Sequence, residues 1–240
     1  NQLAQSPDEV IGQAGEWMKS LKKPMLLVGR GAWQARDEVL AVAEKLGAGV
    51  VHTLPMVGIM PQHPLVVGGI GDGGSEVAVE LIRKCDGLIK VGATYWPTAL
   101  TSDDKKVLAI DVHPANLSRG IPAGFGVVGD AKVILAKLLN ELDSGVLNQA
   151  WCDQEQEVKN APEGHPGRAI RALAEYADAK TLICLDVGDH VLWFNRFFQG
   201  KGQRVLVSGR WRGMGFAIGA SIAAHLANPK TQVITIIGDG

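Results

Sequence analysis

Three short segments of the sequence set chemically useful side chains beside glycines that leave room to use them. Gly213-Met214-Gly215 places one long, flexible thioether between two residues without side chains, at a loop-to-helix junction. Met214 is thereby free to stand clear of the backbone and fill an irregular gap. Gly238-Asp239-Gly240 follows the apolar run at 232–237. Asp239 there is a hard-oxygen ligand of the kind Mg²⁺ takes, and Gly240 leaves space for a diphosphate. Leu185-Asp186-Val187-Gly188-Asp189-His190 ends a strand and enters a helix. Gly188 permits close approach, and His190 in the first helical turn can donate to a phosphate. Plainer accounts exist for each. Asp239 can simply make an Asp-Gly turn, His190 can face solvent, and Asp189 is a natural helix cap. The small residues Ala217, Ala220, Ser221 and Ala224 would let their helix pack closely, whatever Met214 does.

A second group lies in the first half of the chain. Gly29-Arg30-Gly31, the loop at 68–74 with five glycines in seven residues, and Gly92-Ala93 each follow an apolar run. At the C-terminal ends of parallel strands, bare backbone N–H groups can meet phosphates, so Gly29, Gly31, Gly68 and Gly71 are candidate nucleotide contacts. Asp111, at the end of another such run, suits a ribose hydroxyl. Parallel sheets also use glycine for tight turns, so the same residues fit a packing role.

The elements that must position these residues read as strands alternating with helices. Helices are expected at 6–21 with Ser6 as cap, and at 37–46, 76–84, 131–142, 167–176, 189–198 and 214–227. Short apolar runs at 25–28, 50–52, 65–67, 88–91, 107–110, 181–185, 205–207 and 232–237 read as strands. Continuous apolar strands separated by helices point to an α/β fold with two doubly wound parallel-sheet units, the second truncated. The expected division is residues 1–145 for a linker helix and nucleotide-binding-like unit, 146–165 for a polar linker, and 166–240 for the second unit. Both ends read as cut from a longer polypeptide.

Composition narrows the function. With 46% hydrophobic residues, 20% charged residues and a net charge of −1, the 240-residue chain is an ordinary globular protein with no basic surface for nucleic acid. It shows no membrane-length apolar stretch and no signal-peptide pattern. Cys85, Cys152 and Cys184 form no metal or disulfide pattern; they read as buried thiols in a reducing cytoplasm.

Taken in order, these segments resemble the thiamine-diphosphate enzymes of the acetolactate synthase and pyruvate oxidase type, over nearly the whole chain. Gly29-Arg30-Gly31, the 68–74 loop, Ile110-Asp111-Val112-His113-Pro114 and Gly129-Asp130 follow the order of that family's middle domain. The 68–86 interval looks closer to the pyruvate oxidases. Asp186-Val187-Gly188, Gly213-Met214-Gly215-Phe216 and Gly238-Asp239-Gly240 match the start of its cofactor-binding domain. The resemblance implies that Gly188, His190, Gly213 and Gly240 contact the cofactor, Gly188, His190 and Gly240 at its diphosphate. It makes Met214 the wedge that holds the cofactor bent, and Asp239 the first Mg²⁺ ligand. It implies chemistry in which an ylid attacks a 2-oxo acid, CO₂ leaves, and the resulting carbanion equivalent is transferred.

The sequence also departs from the family pattern. Asp189 stands where the synthases carry an amide, Arg212 occupies a position that is usually glycine, and Gly219 replaces a proline. The arginine that flavin-binding relatives place after the Gly92 strand is absent from residues 93–97, so weak or no FAD binding is expected. The family's catalytic glutamate belongs to a preceding domain, and the rest of the Mg²⁺ motif would follow Gly240. The expectation is therefore a fragment, inactive alone, of a homodimeric or homotetrameric cytoplasmic enzyme acting on pyruvate or a similar 2-oxo acid. Alternatives are a 2-oxo-acid or acyl-CoA lyase of the same superfamily, a plain FAD- or NAD-binding module, and a non-catalytic subunit.

Overall fold

The computed structural model describes residues 5–98, 104–142, 150–152, 161, 163–209 and 211–239. Gly240 lies outside the described residues, as does most of the expected linker.

Six strands, β1 (Pro24–Val28), β2 (Gly49–His52), β3 (Val66–Gly69), β4 (Gly87–Val91), β5 (Val107–Asp111) and β6 (Phe125–Val128), form one parallel sheet in the order β3-β2-β1-β4-β5-β6. β1, β4 and β5 are buried along their whole length, which is why they read as unbroken apolar runs. The helices α2 (Arg36–Leu46) and α3 (Glu76–Lys84) lie in crossovers between strands, while α1 (Asp8–Lys19) precedes β1 and α4 (Ala131–Leu142) follows β6, with α1 and α2 both packed on α4. Ser75 caps α3 by accepting the Ala78 N–H, and Gly47 ends α2 at φ 62°.

A second, smaller parallel sheet has the order β8-β7-β9, from β7 (Leu182–Leu185), β8 (Arg204–Val207) and β9 (Val233–Ile236). Helices α5 (Gly167–Tyr176), α6 (His190–Phe197) and α7 (Phe216–Ala227) accompany it. Its core gathers Ile170, Ile183, Leu185, Phe194, Phe198 and Val205, with Phe194 stacked on Phe198. Val57, from a turn after β2, joins that core. The α/β architecture expected from the sequence is thus observed in both sheets.

Several local expectations are corrected. Ser6 does not cap α1. Its N–H donates to the Val128 carbonyl, and its hydroxyl accepts the Val128 N–H, tying the chain before α1 to β6. β6 itself was not foreseen, being four residues long at the sheet edge with Gly126 inside it. Asp189 makes no side-chain cap, because its own backbone is already helical. α7 begins at Phe216 rather than at 214, because Gly215 adopts a left-handed φ of 83°. Within the expected linker, Trp151 donates to the Pro24 carbonyl and Cys152 is buried against the first core. All three cysteines are free and buried. Among the described residues no helix is long and apolar enough to cross a membrane.

Candidate cofactor site

In an open parallel sheet, ligands sit beyond the C-terminal ends of the strands, where the strand order reverses. In the smaller sheet that point lies beside β7, which carries β8 on one side and β9 on the other. Leu185 pairs with Val207 and with Ile236, so all three strands end level and deliver their loops to one place. These loops carry Gly188, His190, Gly213, Met214 and Asp239.

Asp186 organises them. Its N–H continues the ladder to the Ile236 carbonyl, and its carboxylate is buried. Oδ1 accepts the Val187 N–H at 2.8 Å, while Oδ2 accepts the Gly215 N–H at 2.9 Å. One buried anion therefore holds the β7 loop and the loop bearing Met214 together. Sequence reasoning gave Asp186 no role of its own. The signal was available: a charged residue closing an otherwise buried strand, two positions before a glycine.

His190 opens α6 with its ring packed over Gly188. A Cβ at Gly188 would lie 2.7 Å from His190 Cε1, and one at Gly238 would lie 3.9 Å from the same atom. The imidazole thus bridges the ends of β7 and β9. It is 9% exposed, and its buried Nε2 has no hydrogen-bond partner. A buried polar nitrogen left unpaired is costly, and an anion at this strand-end crevice would satisfy it.

Met214 is 75% exposed, and neither flanking glycine has an atom within 4 Å of its hypothetical Cβ. The side chain therefore projects from the loop rather than joining the core. Arg212, two residues earlier, is the one non-glycine residue with positive φ among the described residues, at 45°. That conformation explains why glycine is usual at this position. Asp239 is exposed at the end of β9. Among the described residues no group of three or more His, Cys, Asp and Glu side chains could hold a metal by itself. Mg²⁺ usually takes one or two carboxylates and completes its shell with phosphate and water, so a single exposed carboxylate such as Asp239 is compatible with it.

The candidate nucleotide residues of the larger sheet have other employment. At its reversal point, between β1 and β4, the Gly29 N–H donates to the Val91 carbonyl and the Gly31 N–H to the Gly92 carbonyl. A Cβ on Gly29 would meet the Gly92 oxygen at 2.4 Å. These glycines serve backbone-on-backbone packing. Gly68 and Gly71 take positive φ, and Tyr95 covers Gly71. Asp111 Oδ1 accepts the His113 N–H and the Asn116 side-chain amide. Nearby, Lys90 is buried and donates to the Arg119 carbonyl; burial pulls its ammonium down to about 8, with Asp111 opposing.

Comparison with known proteins agrees with this geometry. The family model for the central domain of thiamine pyrophosphate enzymes matches residues 11–138, and that for the C-terminal thiamine pyrophosphate-binding domain matches residues 186–240. A Bacillus subtilis protein described as thiamine pyrophosphate-containing is 29% identical over 97% of this chain and 43% of its own length. The acetolactate synthase large subunit of Corynebacterium glutamicum is 30% identical over 96% of this chain and 40% of its own. That of Lactococcus lactis is 29% identical over 97% and 44%. The chain thus spans about two fifths of the length of these relatives. With the loops of its smaller sheet converging on an unsatisfied histidine and a free-standing methionine, the chain belongs to the thiamine pyrophosphate enzyme family, as a homologue of the acetolactate synthase large subunits.

Proposed function

We propose that this chain supplies the central unit and part of the cofactor-binding unit of an enzyme that uses thiamine diphosphate and Mg²⁺ to decarboxylate pyruvate or a similar 2-oxo acid. Carboligation or oxidation follows in this reading, in a homodimer or homotetramer. The observation that carries it is the unpaired, buried His190 Nε2 between Gly188 and Gly238, at the strand-end crevice of the smaller sheet. Gly188 keeps the floor clear, and His190 donates to the diphosphate. Asp239, followed by Gly240, holds Mg²⁺ against it. Asp186 fixes the loop of Gly213 and Met214, and Met214 supports the bent cofactor. When bound, the cofactor supplies a carbon nucleophile for the keto group of the substrate.

Flavin is not part of the proposal. The amides of Gly29 and Gly31 are already bonded, and Asp111 is engaged by its own turn. Calorimetric titration tests both halves. Thiamine diphosphate with Mg²⁺ should bind the full-length wild-type enzyme, and Asp239→Ala in it should lose the Mg²⁺-dependent part of that affinity. FAD should give no saturable heat. Equal binding by wild type and Asp239→Ala would remove the metal assignment, and stoichiometric FAD would remove the flavin one.

A further inference from the structure

The glycine loop at 68–74 touches the second unit. A Cβ on Gly73 would lie 2.4 Å from the Leu192 Cα, and one on Gly69 would lie 2.0 Å from Asn195 Oδ1, so α6 rests directly on this loop. Asn195 Nδ2 donates to the Asp72 carbonyl at 2.9 Å. Arg196 and Glu76 pair beside it at 3.8 Å. The backbone of Asp72 is therefore held from across the junction. Its side chain accepts from Arg212 Nη1 at 3.4 Å. Tyr95, over Gly71, senses both charges: burial and Asp72 push its phenol up, and Arg212 pulls it back.

We infer that Asp72 and Arg212 form a clasp through which the glycine loop of the larger sheet positions the Met214 loop; the inference rests on the thiamine-diphosphate reading of that loop. Two carboxylates then hold residues 212–215, one at each end of the segment. Asp186 accepts the Gly215 N–H, and Asp72 accepts from Arg212 across the neighbouring unit. Arg212 keeps a left-handed backbone that an arginine rarely adopts, and such strain persists only where surroundings impose it. The close approach allowed by Gly69 and Gly73 thus serves the cofactor loop rather than a nucleotide, making Asp72 and Arg212 positioning residues.

Both side chains of the pair are more than half exposed, so a modest effect is expected. Hydrogen exchange across residues 208–217, thermal melting, and titration with thiamine diphosphate and Mg²⁺ are compared among four forms of the full-length enzyme. These are wild type, Asp72→Asn, Arg212→Ala and the reversed pair Asp72→Arg/Arg212→Asp. The single variants should exchange about two- to fivefold faster in this segment and bind the cofactor weaker by a similar factor, with melting nearly unchanged. The reversed pair should recover both, since aspartate tolerates the left-handed conformation better than most residues. Unchanged exchange in the single variants overturns the clasp. Faster exchange with unaltered cofactor affinity overturns its positioning role. If the wild type binds no thiamine diphosphate, the cofactor reading fails separately, and exchange alone then decides whether the tether exists.

Discussion

Replacing Asp186 by alanine should loosen the Met214 loop far more than it destabilises the protein. The carboxylate accepts two backbone N–H groups, at 2.8 and 2.9 Å. Only the bond to Gly215 joins segments distant in sequence; the bond to Val187 is to its own neighbour. A hydrogen bond to a charged acceptor contributes about 1.5–3 kcal/mol, a factor of about 10 to 150 in the opening equilibrium of the loop. Hydrogen exchange at Gly215 should accelerate within that range. Global stability should fall less, by about 1–2 kcal/mol, because alanine also removes the cost of burying a carboxylate and water can solvate the exposed Gly215. Asp186→Asn separates the two contributions. Its one carbonyl oxygen can serve either N–H but leaves an amide NH₂ facing the other, so it should track alanine at one site and wild type at the other. The expected order of loop exchange is Asp186→Ala fastest, then Asp72→Asn, then wild type. If Gly215 exchanges equally in Asp186→Ala and wild type, the loop holds itself and the account of Asp186 is wrong.

Two further outcomes are expected. Met214→Ala in the full-length enzyme should lower turnover at saturating cofactor by about tenfold or more, with affinity weakened less and melting nearly unchanged; normal turnover with a lower melting temperature would make Met214 a packing residue only. Lys90 has a folded-state pKa depressed to about 8 by burial, so its charged form is disfavoured in the folded protein. Its penalty is full below pH 8 and fades as pH rises towards its unfolded value near 10.4. Lys90→Met should therefore remove a rise in stability between about pH 8 and pH 10 that the wild type shows, measured as the difference between their melting curves; parallel curves would refute it.

Most elements were legible in the sequence because local patterns dictate them. β1, β4 and β5 are buried on both faces and show it as unbroken apolar runs, and the Gly68 to Gly74 stretch announced a tight loop. Legibility stopped where distant partners decide. Ser6 has the chemistry of a cap, yet its hydroxyl goes to Val128, 122 residues away. β6 is a strand because β5 offers it an edge, although Gly126 and four residues of length give little signal alone. Asp189 has a capping side chain but a helical backbone, so the chain had already turned before it. At the site, Gly188 and Met214 stood out by their glycine context. Asp186 did not, since its importance lies in a bond to Gly215. The glycine loop was the most instructive case: its glycines suggested a nucleotide contact or a tight turn, whereas Gly69 and Gly73 meet α6.

The rung between Ser6 and Val128 also sets a timetable for synthesis. α1 presents Ile11, Ala14 and Met18 to the core and packs on α4, yet α4 begins only at Ala131. At about 5–20 residues per second, the ribosome takes on the order of ten seconds to deliver the partner that shelters this face. The central strand β1 must likewise wait for β4, whose Gly87 pairs with Pro24. During that interval the nascent chain carries an amphipathic helix without its partner and an apolar strand that only β2 can pair. That is the moment at which chaperones, or another nascent chain, would find it.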